Sequence, residues 1–153
     1  MNAVSGGFKP FGRRFDRAIL PVMTAEALTL RLPPVQTTSV VFASPHSGRR
    51  YTPEFLRQSV LDERGIRSSE DAFVDDLIAS VTDLGAASIL AHAPRAYIDL
   101  NRAEDELDSS LIAGLRKGPP NPRIAAGLGV VPRVVSNGRA IYRGKITLAE
   151  AQG

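Results

Sequence analysis

The chain has 153 residues, 43% hydrophobic and 23% charged, which suits one folded domain with a real core rather than a disordered segment. Cysteine is absent, which excludes disulfides, thiolate metal sites and a cysteine nucleophile, so a transition metal has to be held by His, Asp or Glu, with His46 and His92 the two histidines available. The net charge is +3, from 19 Lys and Arg against 16 Asp and Glu, and the basic residues are scattered apart from Arg13-Arg14 and Arg49-Arg50. That favours a solvated basic surface over a nucleic-acid groove.

Residues 1–20 are rich in Gly, Arg and Phe without clear periodicity and read as a loose arm. They lack the long apolar stretch and cleavage site of a signal peptide, and no apolar run in the chain reaches a membrane-spanning length. A soluble cytoplasmic protein without membrane or nucleic-acid partners is expected. Residues 28–34 form a short apolar segment that stops at Pro33-Pro34. Ser39-Val40-Val41-Phe42-Ala43 reads as a buried strand that exits into Ser44-Pro45-His46-Ser47-Gly48. His46 then lies at the C-terminal mouth of a strand, where open α/β sheets place ligands.

A short helix is expected over residues 53–58, with Thr52 as N-cap and Pro53 at its first position. Ser68 or Ser69 caps a stronger predicted helix, whose apolar face is Phe73, Leu77, Ile78 and Val81 and which ends at Gly85. Residues 88–91 read as a second strand and residues 97–100 as a shorter third. Residues 114–123 read as a loop and rigid linker. Short strands are expected on both sides of Asn137-Gly138, a hairpin-turn dipeptide. Thr147 and Glu150 form a capping box that announces a helix within a few residues of Gly153.

Three places can carry chemistry. Neutral imidazole is a standard zinc ligand, and His46 has small neighbours that leave room for a metal; the alternative is a histidine bonded to a nearby carbonyl. Glu70 and Asp71 fall in the first turn of the predicted helix, where they either complement its dipole or provide a metal-ligating carboxylate. Adjacent helix residues point about 100° apart, so the two do not bind one ion side by side. Pro94-Arg95-Ala96-Tyr97-Ile98-Asp99-Leu100-Asn101-Arg102 brings two guanidinium forks and an amide to a strand exit. It suits either a bound carboxylate or an internal cluster with Asp99, Asp105 or Asp108.

Taken in order, these segments resemble the N-formylglutamate amidohydrolase family, a relative of the zinc carboxypeptidases and aspartoacylase-like hydrolases. The matching text is Ser44-Pro45-His46-Ser47-Gly48-Arg49 with Tyr51, then Glu70-Asp71 with Phe73-Val74-Asp75 and Leu77, then residues 94–102 and Glu106-Leu107-Asp108. The resemblance implies an α/β fold with a mixed sheet flanked by helices, phosphorylase/hydrolase-like, of which residues 21–153 form an N-terminal part truncated at the C-terminus.

It also implies one zinc ion, with His46 and one carboxylate of Glu70 and Asp71 as ligands. The longer side chain of Glu70 favours that residue. Asn101 and Arg102 correspond to the family's grip on a substrate carboxylate, with Arg95 assisting. The implied reaction is zinc-dependent hydrolysis of N-formyl-L-glutamate, or a related N-acyl acidic amino acid, to formate and glutamate. The second zinc-binding histidine and the general base of the family lie in segments that would follow this sequence, and His92 is a poor substitute for the missing ligand. Impaired activity is therefore expected, and the alternative is a non-catalytic binding module that keeps the carboxylate pocket.

Overall fold

In the computed structural model, which describes residues 23–24 and 27–152, three apolar runs and one two-residue strand build a single mixed sheet. The strands are β1 (Met23–Thr24), β2 (Leu28–Arg31), β3 (Val41–Ser44) and β4 (Ala87–Ala91), in the order β1-β2-β4-β3. β2 is antiparallel to β1 and to β4, whereas β3 runs parallel to β4, with Val41 opposite Ala87 and Ser44 opposite Leu90. A parallel pair needs a long crossover. Residues 45–86 supply it, carrying α1 (Pro53–Gln58), α2 (Glu63–Ile66) and α3 (Val74–Leu77). The carboxyl ends of β3 and β4 therefore lie side by side, and the segments that leave them meet. The predicted arm over residues 1–20 lies outside the described residues.

The strand expected to be buried is an edge. Among the described residues β3 pairs with β4 alone, and Val41 is 57% exposed while Ser44 at its end is buried. A continuous β-branched run records a strand that can be covered on both faces; pairing on one side leaves these side chains bare.

Residues 97–100 do not form the expected strand. The carbonyl of Pro94 accepts hydrogen bonds from the amides of Tyr97 (2.9 Å) and Ile98 (3.2 Å), which curls the chain into a turn. The long helix expected after Ser68 or Ser69 is also absent. Arg67–Ser69 is a 3₁₀ turn, Glu70 is extended, Phe73 has a left-handed φ of 64°, and α3 starts only at Val74. A second 3₁₀ segment, Ala79–Thr82, breaks the helical period, so Val81 is buried while Leu77 stays 77% exposed. Glu70 and Asp71 consequently occupy an extended connector and not the first turn of a helix.

The local end signals hold better. The Thr52 hydroxyl accepts from the amide of Phe55 at 3.2 Å, and Pro53 opens α1 as expected. Phe55 is buried, with its ring edge-on to Tyr97 at a centroid separation of 5.1 Å. It belongs to a core shared with Ile66, Leu111, Ile112, Ile141 and Ile146. Much of the interior is thus made by the irregular chain after β4, beside the sheet. Within the predicted linker, Asn121 caps α4 (Pro122–Ala125) through its side-chain oxygen. Around Asn137-Gly138 a single antiparallel bridge, Val134 to Ala140, replaces the two expected strands. The capping box opens α5 (Leu148–Gln152), with the Thr147 amide donating to Glu150 at 2.7 Å and the Glu150 amide to the Thr147 hydroxyl at 3.2 Å.

Asp108 pins this irregular half together. Its buried carboxylate accepts from Arg133 Nε at 2.9 Å and from the amide of Ser110 at 2.7 Å. Burial, the largest influence, pushes its pKa up, but the bonds from Arg133 and Ser110 pull it further down, so it lies below the usual carboxylate value. A carboxyl with a lower pKa folded than unfolded adds stability above about pH 4 that is lost as pH falls through the folded value. Asp108→Asn is therefore expected to cost about 1–2 kcal/mol at pH 7. The gap from wild type should narrow towards pH 3, read from urea midpoints at the two pH values.

Candidate active site

His46 sits two residues beyond the end of β3, in a loop held against the exit of β4. The Ser44 hydroxyl donates to the Ser47 hydroxyl at 2.6 Å, and the Arg50 amide donates to the carbonyl of His92 at 3.0 Å. Gly48 fits where a side chain cannot: a Cβ there would lie 2.1 Å from the carbonyl oxygen of Ala93. Close approach of two backbones is the structural reason for glycine at this position.

The His46 ring is buried between two carboxylates. Nε2 lies 2.7 Å from Asp99 Oδ1, and Nδ1 lies 3.4 Å from Asp71 Oδ2. Asp99 is 1% exposed and also accepts from the amide of Asn101 at 2.9 Å. Burial pushes its pKa up most strongly. The hydrogen bonds from His46 and Asn101 and the positive charge of Arg95 outweigh burial together, and hold the pKa below the ordinary value. An ionised Asp99 can only accept, so the His46 Nε2 that faces it carries a proton. The other ring nitrogen, Nδ1, is directed towards Asp71.

The adjacent acids part company. The Asp71 side chain is 46% exposed beside His46, and its amide donates to the His46 carbonyl at 3.1 Å. The Glu70 side chain is 4% exposed and paired elsewhere. It accepts from the Tyr51 hydroxyl at 2.7 Å and from Arg67 Nε at 3.1 Å. Burial first, then the bond to Glu70, raises the Tyr51 pKa, which keeps the phenol a donor.

Of the three residues expected to grip a carboxylate, Arg95 alone lines a cavity of about 430 Å³ that is also walled by Glu70, Asp71, Asp99, Leu128 and the turn at Asn137. Arg95 Nε lies 3.5 Å from Asp99 Oδ2. Arg102 is spent on the fold, donating to the carbonyls of Leu128 at 3.1 Å and Asn101 at 2.7 Å. Asn101 contributes its amide to Asp99. His92 hydrogen-bonds Thr29 at 2.7 Å on the β2 side and does not join His46. Among the described residues no three His, Asp or Glu side chains converge into a complete metal site.

The donor chemistry nevertheless suits a cation at one corner. An imidazole held by a carboxylate through one nitrogen presents the other as a ligand, a common support for zinc. Here that nitrogen lies 3.4 Å from the half-exposed carboxylate of Asp71. The sequence named His46, Asp71 and Arg95 but offered Asp99 only as one of several counter-charges. Its spacing from Arg95 and Arg102 was the legible signal. In the sequence Asn137 reads as a turn residue, and nothing in its local pattern points to the cavity.

No helix among the described residues is long and apolar enough to cross a membrane. The profile of the family described as N-formylglutamate amidohydrolase matches residues 38–153. The crystal structure of N-formylglutamate amidohydrolase from Ralstonia eutropha JMP134 is similar at 34% identity and a TM-score of 0.73, over 84% of this chain and 46% of that one. The present chain thus spans about half the length of that protein. No curated protein matches it. On the family match and the shared fold, the chain belongs to the N-formylglutamate amidohydrolase family.

Proposed function

We propose that this chain carries part of the zinc site and the substrate cavity of an enzyme that hydrolyses the formyl amide of N-formyl-L-glutamate, or of a related N-acyl acidic amino acid, to formate and the free amino acid. The observation that carries the reading is the orientation of His46, locked through Nε2 on Asp99 with Nδ1 beside Asp71 at the cavity wall. His46 and Asp71 are the residues that would hold zinc. The ion supplies Lewis acidity, which acidifies water and polarises an amide carbonyl.

The other residues orient and bind. Asp99 fixes the ring and its tautomer. Glu70, anchored by Tyr51 and Arg67, holds the connector that carries Asp71 and is a positioning residue in this reading, which places the ligand role on Asp71 in spite of the greater reach of Glu70. Arg95 offers a guanidinium to a substrate carboxylate. Two protein donors are one fewer than a catalytic zinc site usually has, so turnover by this chain is expected to be weak.

Metal titration of the purified chain tests the ligand assignment. His46→Ala and Asp71→Asn should abolish zinc binding, while Glu70→Gln weakens it by about tenfold, as loss of an outer partner does. Retention of zinc by Asp71→Asn with loss in Glu70→Gln would reverse the assignment. Binding of N-formylglutamate by a chain that takes no zinc would favour the non-catalytic binding module.

A further inference from the structure

The cavity has a second wall that the sequence attributes to turn formation alone. It is the turn Ser136–Gly138, and it is tied to the segment just before Glu70 and Asp71. The Ser136 hydroxyl donates to the carbonyl of Ser68 at 2.6 Å, and the Ser136 amide donates to the Ser69 hydroxyl at 3.2 Å. On the other flank, Arg139 donates to the carbonyl of Gly65 at 3.2 Å and to the Ser68 hydroxyl at 3.3 Å. The Val135 amide closes the turn on the Arg139 carbonyl at 2.9 Å.

At the tip, Asn137 has a φ of 64° and a ψ of 19°, a left-handed conformation that few residues other than glycine adopt. It lines the same cavity as Asp71, Arg95 and Asp99, and among the described residues its carboxamide has no hydrogen-bond partner. Arg102 is occupied within the fold and Asn101 does not line this cavity, so among the cavity-lining residues Arg95 and Asn137 are the two whose side chains carry nitrogen donors.

We infer that Asn137 is a substrate-binding residue whose amide N–H donates to a carboxylate of an N-acyl acidic amino acid, opposite Arg95, and that the tied turn Ser136–Gly138 sets which side chain the cavity accepts. This inference rests on the proposed function for its ligand class. A neutral donor beside a guanidinium recognises a carboxylate without adding charge next to the metal corner. Its replacement by an acid would set a negative charge against an anionic ligand.

Glycine separates the side chain from the turn, because it accepts the left-handed backbone without strain. Calorimetric titration of the zinc-free chain with N-formyl-L-glutamate, and with N-formyl-L-glutamine as the probe that lacks the side-chain carboxylate, reads the effect. Asn137→Gly should weaken N-formylglutamate binding by about tenfold or more with unchanged circular dichroism, the loss expected for a hydrogen bond to a charged group. Asn137→Asp should weaken N-formylglutamate more than N-formylglutamine. Wild-type affinity in Asn137→Gly would reduce Asn137 to a turn residue and overturn the inference, as would failure of the wild-type chain to bind N-formylglutamate. The two readings fail separately: zinc binding with no Asn137 effect removes this inference alone, and Asn137-dependent binding by a chain that takes no zinc removes the metal site alone.

Discussion

Asp99→Ala is expected to destabilise the chain by about 1–3 kcal/mol, the usual cost of leaving buried donors without an acceptor. Asp99 is 1% exposed, and its two oxygens face four groups. His46 Nε2 and the Asn101 amide bond Oδ1 at 2.7 and 2.9 Å, while Arg95 and Arg102 approach Oδ2 at 3.5 and 3.9 Å. Alanine leaves the histidine proton and the amide without their protein acceptor. It also releases the tautomer of His46. Zinc affinity should therefore fall with stability. Asp99→Asn keeps one oxygen acceptor and should cost less than alanine. Urea denaturation followed by far-ultraviolet circular dichroism measures both; a change below about 1 kcal/mol in the alanine variant would show that the aspartate does not organise this site.

The second large effect is steric. In Gly48→Ala the new methyl would lie 2.1 Å from the Ala93 oxygen and 2.6 Å from the carbonyl carbons of Ala93 and His92. All three are backbone atoms at the exit of β4, so no side-chain rotation relieves the contact. The loop that holds His46 must move away from the segment that leads to Asp99. Overpacking of this kind costs about 1–3 kcal/mol, and contact with backbone places this case at the upper end. The same displacement should weaken zinc binding. Gly138→Ala is the control, since a Cβ there meets nothing within 4 Å and only its φ of 70° opposes the change. Similar losses of stability and zinc in both variants would show that backbone conformation, and not the close approach at Gly48, explains the effect.

The contrast between the two acids shows what was readable along the chain and what was not. Glu70 and Asp71 were visible as a pair, and the longer side chain favoured Glu70. That preference assumed a helix beginning near Ser69. Phe73 instead takes a left-handed φ, and Glu70 has an extended backbone, so neighbouring side chains leave on different sides. Glu70 meets Tyr51 and Arg67, and Asp71 meets His46. Which acid meets His46 is decided by the direction of the backbone and not by reach. Arg95 and Arg102 repeat the lesson. They carry the same chemistry seven residues apart, yet one lines the cavity and the other serves the carbonyls of Leu128 and Asn101.

Local chemistry was legible wherever a residue acts on its immediate neighbours. Thr52 with Pro53 and Thr147 with Glu150 mark helix starts because their bonds close within three residues. The apolar runs at β2 and β4 and the position of His46 at a strand mouth follow from the same short-range rules. By itself the sequence determined these starts, the strands β3 and β4, the absence of thiol chemistry and the identity of the groups able to bind metal or carboxylate. Only the tertiary structure decided which of them meet, because the contacts that build the site, His46 with Asp99 and the tied turn at Asn137, join residues 53 to 74 positions apart, and the geometry of such pairs is set by packing rather than by neighbours in the chain.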